Sequence, residues 1–156
     1  VSTSSGVRSA HLPGAEAYAP PVHEGKSRGY FTVPAGWGGT APTPYPLRFH
    51  VEQGRFTDVL GETPEARDYI EKNIRPLLFG RQDFDILAEI GIGTNRSLHA
   101  GYVSRKGWST LVAEKIGGSV HFANGNSKAM GGQNDVPIHI DWVVDQARIE
   151  YDYRLP

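Results

Sequence analysis

The chain has no cysteine, which excludes disulfide frameworks, cysteine-ligated zinc and thiol catalysis, and is compatible with a reducing compartment. It has no excess of either charge: 16 Lys and Arg stand against 17 Asp and Glu, for a formal net charge of -1. An electrostatic nucleic-acid binder carries a basic excess or stripe, so no nucleic-acid partner is expected. No apolar run reaches membrane-spanning length, and the first residues lack a charged-then-apolar signal pattern. A soluble cytoplasmic protein is expected, without a membrane partner. At 156 residues the chain fits one domain, large enough to bury a core without staples.

Proline and glycine are abundant but unevenly placed. Residues 1–46 hold seven of the 11 prolines and little periodicity. Residues 1–29 read as a Pro/Gly/Ser-rich arm, and 30–156 as the folded domain. Tyr30-Phe31-Thr32-Val33 reads as a short strand. From Leu47 apolar and polar residues alternate, turn at Gln53-Gly54 and alternate again to Leu60, which predicts a β-hairpin. Thr63-Pro64-Glu65 is a helix start, with Pro76 limiting the extension. Strands are expected over 84–92, 118–123, 137–144 and 147–153, and a short helix over 109–115. The sum is α+β: a strand-dominated mixed or antiparallel sheet with a few short helices.

The chemistry-bearing residues cluster late. Side chains two apart on a strand share a face, roughly 6–7 Å from one another, so His139 and Asp141 point together while Ile140 points away. Glu89 lies inside Ile86-Leu87-Ala88-Glu89-Ile90-Gly91-Ile92, where a buried charge needs a cation, a partner or a proton. His121 sits in Val120-His121-Phe122-Ala123. Each has a plainer reading: a salt-bridged core acid, a satisfied core histidine, a surface hydrogen-bonded dyad. Together, two imidazoles and two carboxylates suit one divalent metal: zinc, manganese or ferrous iron. Between the histidine-bearing strands runs a polar, Gly-rich loop, Asn124 to Asp135, expected to rim a substrate site. It is not a phosphate cradle, because no Walker pattern is present.

Glu89-Ile90-Gly91-Ile92-Gly93-Thr94-Asn95, Glu114 to Ala123 and His139-Ile140-Asp141-Trp142 resemble the C-terminal catalytic domain of the thermophilic aminopeptidases (the T and S metallopeptidases). The dihydroxypyridine ring-cleaving dioxygenases carry a related domain. The resemblance covers roughly residues 30–144. It implies that Glu89, His121, His139 and Asp141 are metal ligands, and that Glu114 lies beside the metal as ligand or acid/base. It also implies departures. The peptidases carry a further N-terminal domain, for which 156 residues leave no room. Their bridging carboxylate falls on Trp37, which cannot coordinate a metal in that way, and their tyrosine after the first ligand histidine falls on Lys128. One metal is therefore expected rather than two.

Three readings follow. The first is a metal-dependent hydrolase or peptide-tailoring enzyme, with Glu114 taking a proton from metal-bound water; facial-triad logic keeps a non-haem iron oxygenase open within it. Its substrates are peptides or small aromatic acids. The second is a non-hydrolytic module that presents a precursor peptide to natural-product enzymes by β-augmentation, with Trp37, Trp108 and the loop lining the groove. Trp37, Asn126, Lys128 and Asn134 are the candidate substrate contacts. The third is a structural subunit with fossil site residues. A homodimer is expected, because surface otherwise covered by a missing domain seldom stays bare.

Overall fold

In the computed structural model, residues 2–3, 6–7, 15–21, 25–148 and 150 are described. The element order is β1 (Ser2–Thr3), β2 (Gly6–Val7), β3 (Glu16–Ala19), β4 (Gly29–Val33), β5 (Leu47–Glu52) and β6 (Arg55–Leu60). There follow α1 (Pro64–Tyr69), a π-helical turn (Ile70–Ile74), α2 (Arg75–Phe79) and β7 (Leu87–Gly93). The chain continues through α3 (Ala100–Lys106), α4 (Thr110–Ala113), β8 (Val120–Gly125), a 3-10 turn (Lys128–Met130) and β9 (His139–Val144). The class is α+β, as the alternation predicts. Its main layers are two antiparallel sheets, ordered β4-β5-β6 and β3-β7-β8-β9; β1 and β2 pair separately.

The β5–β6 hairpin turns at Gln53 and Gly54, both in left-handed backbone (φ 50° and 72°), which matches the twist of the flanking strands. Opposite His50 and Val51 the register slips by one residue, since Val51 faces Phe56 while His50 faces Asp58. That bulge turns both Phe56 and Val59 inward, where strict alternation would expose one of them. Aromatic rings then join the layers. Phe31 of β4 stacks on Phe122 of β8 at 4.2 Å, and Phe49 of β5 lies 4.7 Å from Trp142 of β9. Leu47, Val33, Ile70, Ile74 and Leu78 complete this core.

The helix start at Thr63 is as expected: its hydroxyl accepts from the Ala66 N–H at 3.1 Å, with Pro64 in the first turn. Replacing Thr63 with alanine is expected to lower the unfolding free energy by about 1 kcal/mol, the ordinary worth of such a cap, measurable by urea denaturation. Pro76 does not end the helix. The Arg75 N–H reaches back to the Ile70 carbonyl, forming a π turn, and Pro76 then occupies the first turn of α2, where its missing N–H costs little. Ala66, Ile70, Ile74 and Leu78 thereby stay buried at a spacing of four.

Three further boundaries differ from the sequence expectation. Residues 16–19, within the stretch read as an arm, form edge strand β3 beside β7. The strand expected from 84 starts at Leu87, because Asp83 takes a positive φ of 62°. Helix α3 has no sequence signal, since its cap residue His99 makes no capping bond and its buried apolar side is Val103 alone. The strand expected over 147–153 falls largely outside the described residues, and Ala147 and Arg148 are not in a strand. Among the described residues no helix is long and apolar enough to cross a membrane.

Candidate metal centre

One face of β3-β7-β8-β9 carries the predicted ligands. Cross-strand pairing places Glu89 opposite Ala123, and Ala123 opposite Asp141, so two carboxylates flank one small residue. In the next row Gly91 faces His121. A Cβ built on Gly91 would lie 1.9 Å from His121 Nε2, so the imidazole leans across β7 only because that position is glycine. Gly91 and Ala123 are the floor of the site, and the ligands converge above them. His139, paired with Gly125 at the start of β9, closes one side.

The donors are close. Glu89 Oε1 lies 3.0 Å from His121 Nε2, and its Oε2 lies 3.2 Å from His139 Nε2. His139 Nε2 is also 3.3 Å from Asp141 Oδ1, confirming the shared face of that pair. Donor atoms of Glu89, His121 and Asp141 fall within 4.8 Å of one another. Glu89 and His121 are buried, Asp141 is partly exposed and His139 is the most exposed of the four. The Nδ1–H of His139 donates to the Asn126 carbonyl at 2.7 Å, which fixes the ring and leaves Nε2 to face the carboxylates. His121 Nδ1 is buried and makes no hydrogen bond to a described residue. The nitrogen that faces the cluster is Nε2, beside the Glu89 carboxylate and within reach of the Asp141 group, and that donor set suits a divalent metal.

Without metal, the same groups hold one another's charge. Burial works against the charged form of His139, but hydrogen bonds to Asp141 and Glu89 overcome it and raise its pKa to about 10. Burial likewise opposes charge on His121, yet Glu89 and Asp141 raise its pKa. Burial would raise Glu89, but the two imidazoles lower it. The folded value of His139 lies above its ordinary 6.5, so this pairing stabilises the metal-free fold fully below about pH 6.5. That contribution is lost as pH rises through about 10. Glu89 acts in the opposite sense: its contribution is present above its ordinary 4.5 and lost as pH falls below that.

Metal requires neutral imidazoles, so ions and protons compete here. Binding at neutral pH is expected to release about one proton from His139 and a further amount from whatever charge His121 carries, and affinity is expected to fall as pH is lowered. Calorimetry in buffers of different ionisation enthalpy reads that number directly.

Glu114 follows α4 and is buried, with Lys115 Nζ 2.5 Å from its Oε1. Burial raises its pKa, Lys115 opposes this, and the Asp141 and Glu16 carboxylates push it further up. It is therefore a carboxyl beside the ligand cluster whose pKa burial raises and Lys115 restrains. Gly93 lets it approach: a Cβ there would meet the Ile116 carbonyl at 2.1 Å and the Glu114 carbonyl at 2.6 Å. Two site residues carry no sequence signal of their own. Glu16 arrives on β3, with Oε2 4.0 Å from His121 Nε2, and Lys115 spans Glu114 and Glu16.

The expected substrate contacts have structural partners. Trp37 packs edge-on against Trp108 at 6.0 Å and touches both core clusters. The Asn126 amide donates to the Val136 carbonyl at 2.9 Å, while Lys128 pairs with Asp135. The Asn134 amide donates to the carbonyls of Gly125 (2.6 Å) and Asp83 (2.8 Å). These contacts brace the loop that carries the Asn126 carbonyl to His139.

Fold and donor set together define an α+β domain with a candidate divalent-metal site. No family model and no curated protein matches the chain. A solved structure of a 2,5-dihydroxypyridine dioxygenase from Pseudomonas putida is similar in fold, with a TM-score of 0.65 and 20% identity. The similarity covers 83% of this chain and 38% of that one, so the chain spans well under half the length of that neighbour.

Proposed function

We propose that this domain holds one divalent metal, ferrous iron in preference, through His121, His139 and Asp141 with Glu89 beside them, and that it performs oxidative chemistry on a small hydroxylated aromatic acid. The observation that carries this reading is the group Glu89, His121 and Asp141, with donor atoms within 4.8 Å of one another, beside which His139 Nε2 lies 3.2 Å from Glu89 and 3.3 Å from Asp141. Two histidines and one carboxylate on one side of an ion form the set used by non-haem iron oxygenases, which leaves further positions open to substrate and oxygen. The dioxygenase-like fold supports the same choice. When bound, the ion supplies a Lewis acid and a redox centre. The chain itself supplies neutral imidazoles, a buried carboxylate that orients both of them, and Glu114, a carboxyl paired with Lys115, next to the site.

A hydrolytic reading, on peptides as the aminopeptidase resemblance implies, draws its support from Glu114, whose raised pKa suits an acid/base role. A non-catalytic peptide-holding role has only the exposed edge strands and the tryptophans in its favour. Separate loading with ferrous iron, manganese and zinc under anaerobic conditions distinguishes these. Oxygen uptake with 2,5-dihydroxypyridine or a hydroxylated aromatic acid in the iron form alone supports the oxygenase. Hydrolysis of aminoacyl anilides in the zinc or manganese form replaces it with the peptidase.

A further inference from the structure

Beside the four donors a cation is already built into the fold. Lys115 Nζ lies 2.5 Å from Glu114 Oε1 and 3.2 Å from Glu16 Oε1, and its side chain is only 14% exposed. Glu16 turns its other oxygen toward His121 Nε2, 4.0 Å away. An unbroken chain of charged groups thus runs from Lys115 through Glu16 and His121 to Glu89. The position of Lys115 is imposed by the backbone, because its carbonyl accepts from the Asn95 N–H at 3.0 Å, next to the parallel bridge between Asn95 and Ile116.

Charge balance gives this lysine a purpose beyond pairing. Glu16, Glu89, Glu114 and Asp141 bring four carboxylates to one sheet face. One divalent ion together with one ammonium offsets three of these four negative charges, as buried charges require. Without the ammonium, Glu16 and Glu114 would lose the cation that lies between them. The Glu16 and Glu114 carboxylate oxygens are donors that a second divalent ion accepts at about 2.0–2.2 Å. An ammonium and a metal ion compete for the same oxygens.

We propose that Lys115 is a resident cation occupying a second cation position between Glu16 and Glu114, and that it thereby limits the site to one divalent metal. The inference deepens the metal-site reading above and rests on it. Lys115 acts as a positioning and stoichiometry-setting residue rather than a group that touches substrate.

The test uses the full chain stripped of metal, titrated with manganese and desalted, with bound equivalents and the electron paramagnetic resonance spectrum as readouts. The unaltered protein is expected to hold one equivalent with the spectrum of an isolated ion. Lys115→Ala is expected to hold two, with the spectrum of an exchange-coupled pair, while Lys115→Arg, which keeps the charge, returns to one. A folded Lys115→Ala protein that stays at one equivalent overturns the inference, as does an unaltered protein that takes up two. If the alanine variant does not fold, Lys115→Gln decides in the same way, because its amide keeps donors to the carboxylates without the charge. An unaltered protein that binds no metal overturns this inference and the metal-site reading together, so the two failures are distinguishable.

Discussion

Replacing His121 with alanine is expected to abolish stoichiometric metal binding, weakening affinity by at least ~100-fold. Changes to groups that only orient a ligand already cost ~10–100-fold, and His121 is itself a donor. The effect should extend to the metal-free fold. Glu89 is buried and keeps its charge through His121 and His139, so removing one imidazole leaves a buried carboxylate half-paired. Breaking a buried pair in this way costs about 3–5 kcal/mol. His121→Ala is therefore expected to melt well below the unaltered protein even with chelator present. Converting Glu89 to glutamine in the same variant should recover part of the loss, because the uncompensated charge is gone. A His121→Ala protein that binds metal with unchanged affinity would remove His121 from the ligand set.

The second large effect comes from a residue with no functional group. Gly91→Ala places a methyl 1.9 Å from His121 Nε2 and 2.2 Å from Cε1, so the imidazole must leave its position over β7. The ring is 1% exposed and has no free space to enter without disturbing its neighbours. Overpacking of this kind typically costs about 1–3 kcal/mol. The functional cost is larger, since the displaced ring carries a donor nitrogen away from Glu89 and Asp141. Metal affinity is expected to fall at least ~100-fold while the circular dichroism spectrum is retained. Ala88, three residues earlier and fully buried, shows that β7 accepts a methyl where no imidazole crosses it.

What the sequence made legible follows from periodicity. Strands β5, β6, β8 and β9 alternate or form compact apolar runs, and the shared face of His139 and Asp141 follows from their spacing alone. Glu89 stood out because a carboxylate in an apolar strand demands a partner, and the structure supplies two imidazoles. Other parts depend on pairing across the sheet, which spacing does not encode. Glu16 enters the site only because β3 docks against β7, and its own stretch is broken by proline, glycine and serine. The small residues Gly91 and Ala123 form the floor, yet alone each reads as an ordinary strand residue. Lys115 was hidden because its ammonium meets Glu114 and Glu16 only after α4 and the turn into β8 fold over Gly93. Pro76 misled for a local reason: a π turn shifts the hydrogen-bond ladder so that proline begins a new helical turn. Asn126 and Asn134 read as rim residues, while their amides brace the loop and the Asn126 carbonyl orients His139.

The central claim is that His121, His139 and Asp141, with Glu89 beside them, hold one divalent ion. Its most direct test is elemental analysis of the unaltered protein after anaerobic incubation with ferrous iron, manganese or zinc and removal of the excess. The arrangement predicts close to one tightly held equivalent of a single metal, lost on chelation and absent from Asp141→Ala. Protein that holds no metal after any of the three incubations would contradict it.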